Sequence, residues 1–148
     1  MQEVDINTLV NNNYLNRNIP DNIIIIGKID NLIISHKYKF LNLSKIECNK
    51  IEYYNQESNS IENHILPESL KILICIINNC VSFLPNLPKN LIKLICSNNK
   101  LTSLHNLPNS LKELYCRNNK LTSLPNLPNS LKELYCGNHH LRSLPNLP

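Results

Sequence analysis

Near the end of the sequence, the stretch CGNHH gathers three side chains that could do chemistry: Cys136, His139 and His140. Thiolate and imidazole are zinc ligands, and zinc takes about four of them in a tetrahedron. Three fall short, and Cys136 has another reason to be there. It ends a column, Cys75, Cys96, Cys116 and Cys136, with spacings of 21, 20 and 20 residues. A cysteine that returns with a structural period replaces a core aliphatic, so no metal is expected. Of the six cysteines, Cys80 lies off this column and is expected to be the more reactive. A disulfide framework needs a secretory context. The opening MQEVDINTLVNNNYLNRNIP lacks the basic and apolar segments of a signal peptide, which points to an intracellular, cytoplasmic protein.

Lys100, Lys120 and His140 also recur one period apart, as do Lys112 and Lys132. Such columns could meet phosphates or acidic side chains, but nucleic-acid binders cluster more charge than this. Residues 87–146 carry eight Lys/Arg against two Glu, a balance of +6, and the rest of the chain balances at −2. That dispersed excess reads as a solvated face, and nucleic acid is not the expected partner. Catalysis has no support either. With two glycines there is little means of cradling a phosphate, no nucleophile elbow is present, and no Asp follows Asp30. Neither an enzyme nor a cofactor is expected. The longest apolar run, IIII at 23–26, is far below the ~20 residues needed to cross a bilayer.

The elements that position these side chains follow from an internal repeat. LPNSLKELYCRNNKLTSLPN (107–126) and LPNSLKELYCGNHHLRSLPN (127–146) match at 16 of 20 positions, and LPESLKILICIINNCVSFLPN (66–86) and LPKNLIKLICSNNKLTSLHN (87–106) precede them. The first unit holds one extra residue, near Ile76 and Ile77. In LKELYC, alternation of period two puts Leu114 and Cys116 on one face and Glu113 and Tyr115 on the other, a short strand with one buried side. Tandem copies running the same way must stack as a parallel sheet. The return TSLPNLPNS, with two prolines three residues apart, cannot be helical and takes an extended course. Leu111, Leu114, Cys116, Leu121, Leu124, Leu127 and their counterparts one period on should fill the inside. No unit buries enough alone, so repetition is what makes the core.

The shared pattern, L-x-x-L-x-C-x-x-N-x-L followed by L-P-x-L-P, resembles a leucine-rich repeat. Its short 20-residue form is similar to the repeats of bacterial effectors that act inside host cells and to arrays of amoebae and giant viruses. That resemblance covers residues 66–148 and implies a β-rich solenoid with parallel strands and non-helical returns, used for protein recognition, in the host cytoplasm if the source is viral or an effector.

Asn79, Asn99 and Asn119 hold the one polar column of the pattern, where a buried amide can pair with backbone of the turn and of the next coil. Asn78 could serve in place of Asn79, and in the last copy the column holds His139. Residues 1–65 do not keep the period. They are expected to form an N-terminal cap of degenerate β-rich coils, with strands near 23–27, 31–35 and 44–48, a polar loop at 55–64, and a short helix or no order in the first 18 residues. No cap is expected after the fourth repeat: a partner covers that edge, copies associate there end to end, or the reading frame is shortened. The 27 asparagines, with abundant Ile and Lys, match the usage of an AT-rich genome and are discounted as a functional signal.

The expected function is non-catalytic protein recognition by the exposed strand face, formed by Ile74, Ile95, Tyr115 and Tyr135 with Lys93, Glu113, Glu133 and Arg117. Tyrosine suits such a surface because it gives large contact area for little rotamer entropy. The competing readings are a structural or vestigial fragment produced by recent duplication, and a weak phosphate or nucleic-acid binder.

Overall fold

The computed structural model describes residues 3–5, 10–11, 14–15, 23–34, 41–54, 61, 63–76, 81–137 and 140–148. Short strands with one apolar face dominate them: β1 (Glu3–Asp5), β2 (Val10–Asn11), β3 (Tyr14–Leu15), β4 (Ile23–Ile34), β5 (Leu41–Tyr54), β6 (Ile72–Ile76), β7 (Lys93–Ile95), β8 (Glu113–Tyr115) and β9 (Glu133–Tyr135). They form one sheet in the order β2-β3-β4-β5-β6-β7-β8-β9, with β1 also paired to β4. All pairings are parallel except β2 with β3. Among the described residues there is no helix, and none long and apolar enough to cross a membrane. The architecture is a β-solenoid with extended returns, as the proline spacing predicts.

Register sets the core. Leu32, Ile51, Leu73, Leu94, Leu114 and Leu134 stand opposite one another across six strands. All but Leu134 are fully buried. Leu111, Leu114, Cys116, Leu121, Leu124 and Leu127 are buried as expected. Their counterparts one period on are more open: Leu131, Leu134, Cys136 and Leu141 are half-buried, while Leu144 and Leu147 are 52% and 63% exposed. A solenoid coil buries itself against both neighbours, and the fourth coil has one.

The N-terminal region departs from its expectation. The strands expected at 23–27 and 31–35 are one continuous strand, β4, and the one expected at 44–48 extends over all of β5. Their ten-residue register is longer than any between repeats. Seven of the twelve residues of IIIIGKIDNLII are isoleucine, a β-branched residue of high strand preference, with no proline to break the strand, and that preference outweighs Gly27. In place of a helix, the described parts of the first 18 residues are β-structure, β1 to β3. The loop expected at 55–64 is only partly described, yet Ile61 and His64 are buried, and Ile65 accepts from the Leu43 amide at 2.8 Å. The Tyr53 hydroxyl lies 2.9 Å from His64 Nδ1, a pairing that lets both polar groups enter the core.

Candidate functional site

Each coil is assembled by the same local devices. The second proline of the return opens a turn that closes on the following leucine: Leu91, Leu111 and Leu131 donate to Pro88, Pro108 and Pro128 at 3.1, 3.0 and 2.9 Å. A three-residue strand follows. At its exit Asn98 and Asn118 take φ of 58° and 52°, the left-handed conformation that asparagine tolerates better than most residues. The next residue is the buried ladder asparagine. Asn119 Nδ2 donates to the Cys96, Cys116 and Arg117 carbonyls at 3.0, 3.0 and 3.3 Å, and its Oδ1 accepts from Leu101 at 3.1 Å. Asn99 does the same toward Cys75, Cys96, Ser97 and Val81. The ladder therefore reaches back to the preceding coil. Asn78, Asn79 and His139 lie outside the described residues.

The outward side of this framework carries two columns. One reads Asn31, Lys50, Ile72, Lys93, Glu113, Glu133 and the other Ile33, Glu52, Ile74, Ile95, Tyr115, Tyr135. Tyr115 and Tyr135 stack, with ring centroids 4.6 Å apart and planes inclined by 6°. The Tyr115 hydroxyl donates to Glu133 at 2.8 Å and lies 3.4 Å from Glu113. The Lys93 ammonium sits 2.5 Å from Glu113 and 5.0 Å from the Tyr115 ring centre. The bond to Glu133, with partial desolvation and the two carboxylates, pushes Tyr115 ionisation well above the ordinary value. Tyr115 is thus a neutral donor to Glu133, while Lys93 holds Glu113.

The structure brings Ile95, Tyr115, Tyr135, Lys93, Glu113 and Glu133 onto this face, and Tyr135 is 47% exposed. Ile74 is different. It stands in the expected column, but only 8% of it is exposed, so the expectation that it offers contact area is corrected. It lies on β6 between Glu52 of β5 and Ile95 of β7, and β5 and β6 are longer than the strands of later coils. Arg117 is exposed, and its side chain lies over Gly137 in the next coil. Lys100, Lys112, Lys120, Lys132 and His140 are exposed.

Cys75, Cys96 and Cys116 are buried and Cys136 half-buried. Burial holds the first two thiols well above their usual range, and burial with Cys136 alongside pushes Cys116 up to about 12. Such thiols stay protonated and act as packing groups. Among the described residues no group of three or more His, Cys, Asp or Glu could hold a metal ion. Cys80 and His139 lie outside the described residues.

A second ladder escapes the sequence reading. Ser110 Oγ reaches the Lys89 and Leu91 carbonyls of the preceding coil at 2.7 and 2.6 Å, Ser130 Oγ reaches Leu111 at 2.6 Å, and Asn90 Nδ2 reaches Glu68 at 2.9 Å. The signal was the small polar residue fixed between the proline and the leucine of each unit.

A parallel β-solenoid whose coils are fastened by buried amides and present one continuous strand face is a repeat protein. Its repeats are leucine-rich repeats: residues 89–129 and 109–148 match the family described as Leucine Rich repeats in two copies. Among solved structures, YopM from Yersinia enterocolitica WA-314 matches with a TM-score of 0.57 and 31% identity over 88% of this chain. The match takes in 32% of the YopM chain, so this chain spans about a third of that protein's length. Leucine-rich repeats are thus matched over residues 89–148, and the fold of the chain is similar to that of YopM. No curated protein sequence matches it.

Proposed function

We propose that the protein recognises another protein, without catalysis, through the strand face centred on Tyr115 and Tyr135. Ile95, Lys93, Glu113, Glu133 and Arg117 complete the surface, and Ile74 serves as its floor. The observation that carries this reading is the tyrosine pair. Two aromatic rings, stacked and pinned by a hydroxyl–carboxylate bond, form a rigid platform with one ring 47% exposed. A preordered aromatic surface loses little entropy on binding, which is what an interface anchor requires. Residues 1–65 are read as the cap of one end and residues 66–148 as the repeat array that carries the site. Asn99 and Asn119 are structural, because their amides are fully used inside the coils.

Affinity purification from cells that produce the protein tests this. A stoichiometric partner retained by the wild type and lost from Tyr115→Ala/Tyr135→Ala, with thermal unfolding showing the variant folded, supports the reading. A partner held equally by both contradicts it.

A further inference from the structure

We propose that the face over β8 and β9 takes a cationic side chain of the protein partner, an arginine or lysine seated between the Glu133 carboxylate and the exposed surface of Tyr135. This rests on the recognition reading above and adds the partner's chemistry to it.

The molecule already holds one cation with these residue types. The Lys93 ammonium is 2.5 Å from the Glu113 carboxylate and 5.0 Å from the centre of the Tyr115 ring, inside the ~6 Å over which a ring attracts a cation. Glu133 and Tyr135 repeat Glu113 and Tyr115 one strand on, in the same register. The cation does not repeat. Its column reads Lys93, Glu113, Glu133, so the third coil offers a carboxylate where the second offers an ammonium. Glu113 is neutralised by Lys93. Among the described residues no cation pairs with Glu133, whose hydrogen bond comes from the neutral Tyr115 hydroxyl. The result is a second carboxylate beside an open aromatic surface, without the charge that completes the first. That combination attracts a guanidinium or an ammonium and repels an acidic partner. Arginine fits it better, since a planar guanidinium can pair with a carboxylate and lie on a ring at once.

The test is an NMR titration of the full chain, labelled with nitrogen-15, with the blocked tripeptide acetyl-Gly-Arg-Gly-amide. Parallel titrations use the same peptide carrying citrulline, which keeps the shape without the charge, or glutamate. The arginine peptide is expected to shift the amide signals of residues 133–137 with millimolar affinity, the other two to leave them in place, and Glu133→Gln to weaken the arginine peptide about fivefold. Glutamine retains an acceptor for Tyr115, so the platform survives. No shift with the arginine peptide, an equal response to citrulline, or unchanged affinity in Glu133→Gln overturns the proposal. A partner lost from Tyr115→Ala/Tyr135→Ala but kept by Glu133→Gln leaves the recognition reading standing without its cation. Arginine binding at residues 133–137 together with a partner that survives the tyrosine substitutions does the reverse.

Discussion

Tyr115 and Tyr135 stack at 4.6 Å, close to the ~4.8 Å step between neighbouring strands, because each stands at the same position of its coil. The contact reports register directly. A slip of one residue would turn one ring inward and bring a leucine or cysteine out in its place. The recognition face and the core are therefore fixed by the same pairing.

The bond from Tyr115 to Glu133 should be visible in solution. Tyr115 is expected to ionise well above the ordinary tyrosine value of 10.0, first because its hydroxyl donates to Glu133. Ultraviolet titration of a Tyr135→Phe background should show late phenols, Tyr53 and Tyr115 among them, and adding Glu133→Gln should bring the Tyr115 step earlier while leaving Tyr53 in place. A titration unaffected by Glu133→Gln would break the link between these two residues.

The asparagine ladder predicts an unequal cost for equal-looking changes. Asn119→Leu takes from the Leu101 amide its side-chain partner, at about 1–3 kcal/mol for a buried group left unpaired, while the Cys96 carbonyl keeps its bond from Asn99. Asn118→Leu meets a different penalty, that of a left-handed φ of 52°, at roughly 1–2 kcal/mol. The exposed Asn126 should tolerate leucine with little change. Urea unfolding of the three variants checks the ranking.

Leu111 and Leu131 occupy one position in near-identical repeats, but Leu111 is fully buried and Leu131 half-buried. Leu111→Ala should cost about 2–5 kcal/mol and Leu131→Ala clearly less. Equal losses would mean that coils are stable on their own and that stacking is not what makes the core.

Alkaline pH should loosen the protein. Tyr53, Cys75, Cys96 and Cys116 all have ionisation raised in the folded state by burial, from ordinary values of 10.0 for tyrosine and 9.0 for cysteine. Above those values the unfolded chain gives up protons that the folded one retains, so the contribution is whole below about pH 9 and is lost as pH rises toward the folded values. The urea midpoint should be level from pH 7 to 9 and fall beyond it. A midpoint still level above pH 10 would contradict the burial of these groups.

Much of this was legible in the residues. A strict period places Leu114 above Leu134 and Cys116 above Cys136 whatever the details of the coil, and the prolines of the returns exclude a helix. What repetition could not reach was set by neighbours outside the repeat. Ile74 looks like Ile95 in the alignment, but the long non-repeating β5 stands beside it. The β-structure of the N-terminal region rests on pairings between strands of unlike sequence, for which no period gives a register. The asparagines were legible in part. Asn99 and Asn119, read from their column, fasten coils, whereas the left-handed turn at Asn98 and Asn118 and the bond from Asn118 Nδ2 to Asn98 at 2.9 Å went unread. The doublet NN at a fixed place in the first three repeats was the sign of it.

The most direct measurement compares the affinity of the recovered partner for Tyr135→Ala, on the strand face, and for Phe83→Ala, a comparably exposed aromatic residue on a return segment. Loss of about tenfold or more at Tyr135, a cost typical of an interface anchor, with Phe83→Ala indistinguishable from wild type, is the predicted result. Full affinity in Tyr135→Ala with loss in Phe83→Ala would place recognition on the opposite wall and contradict it.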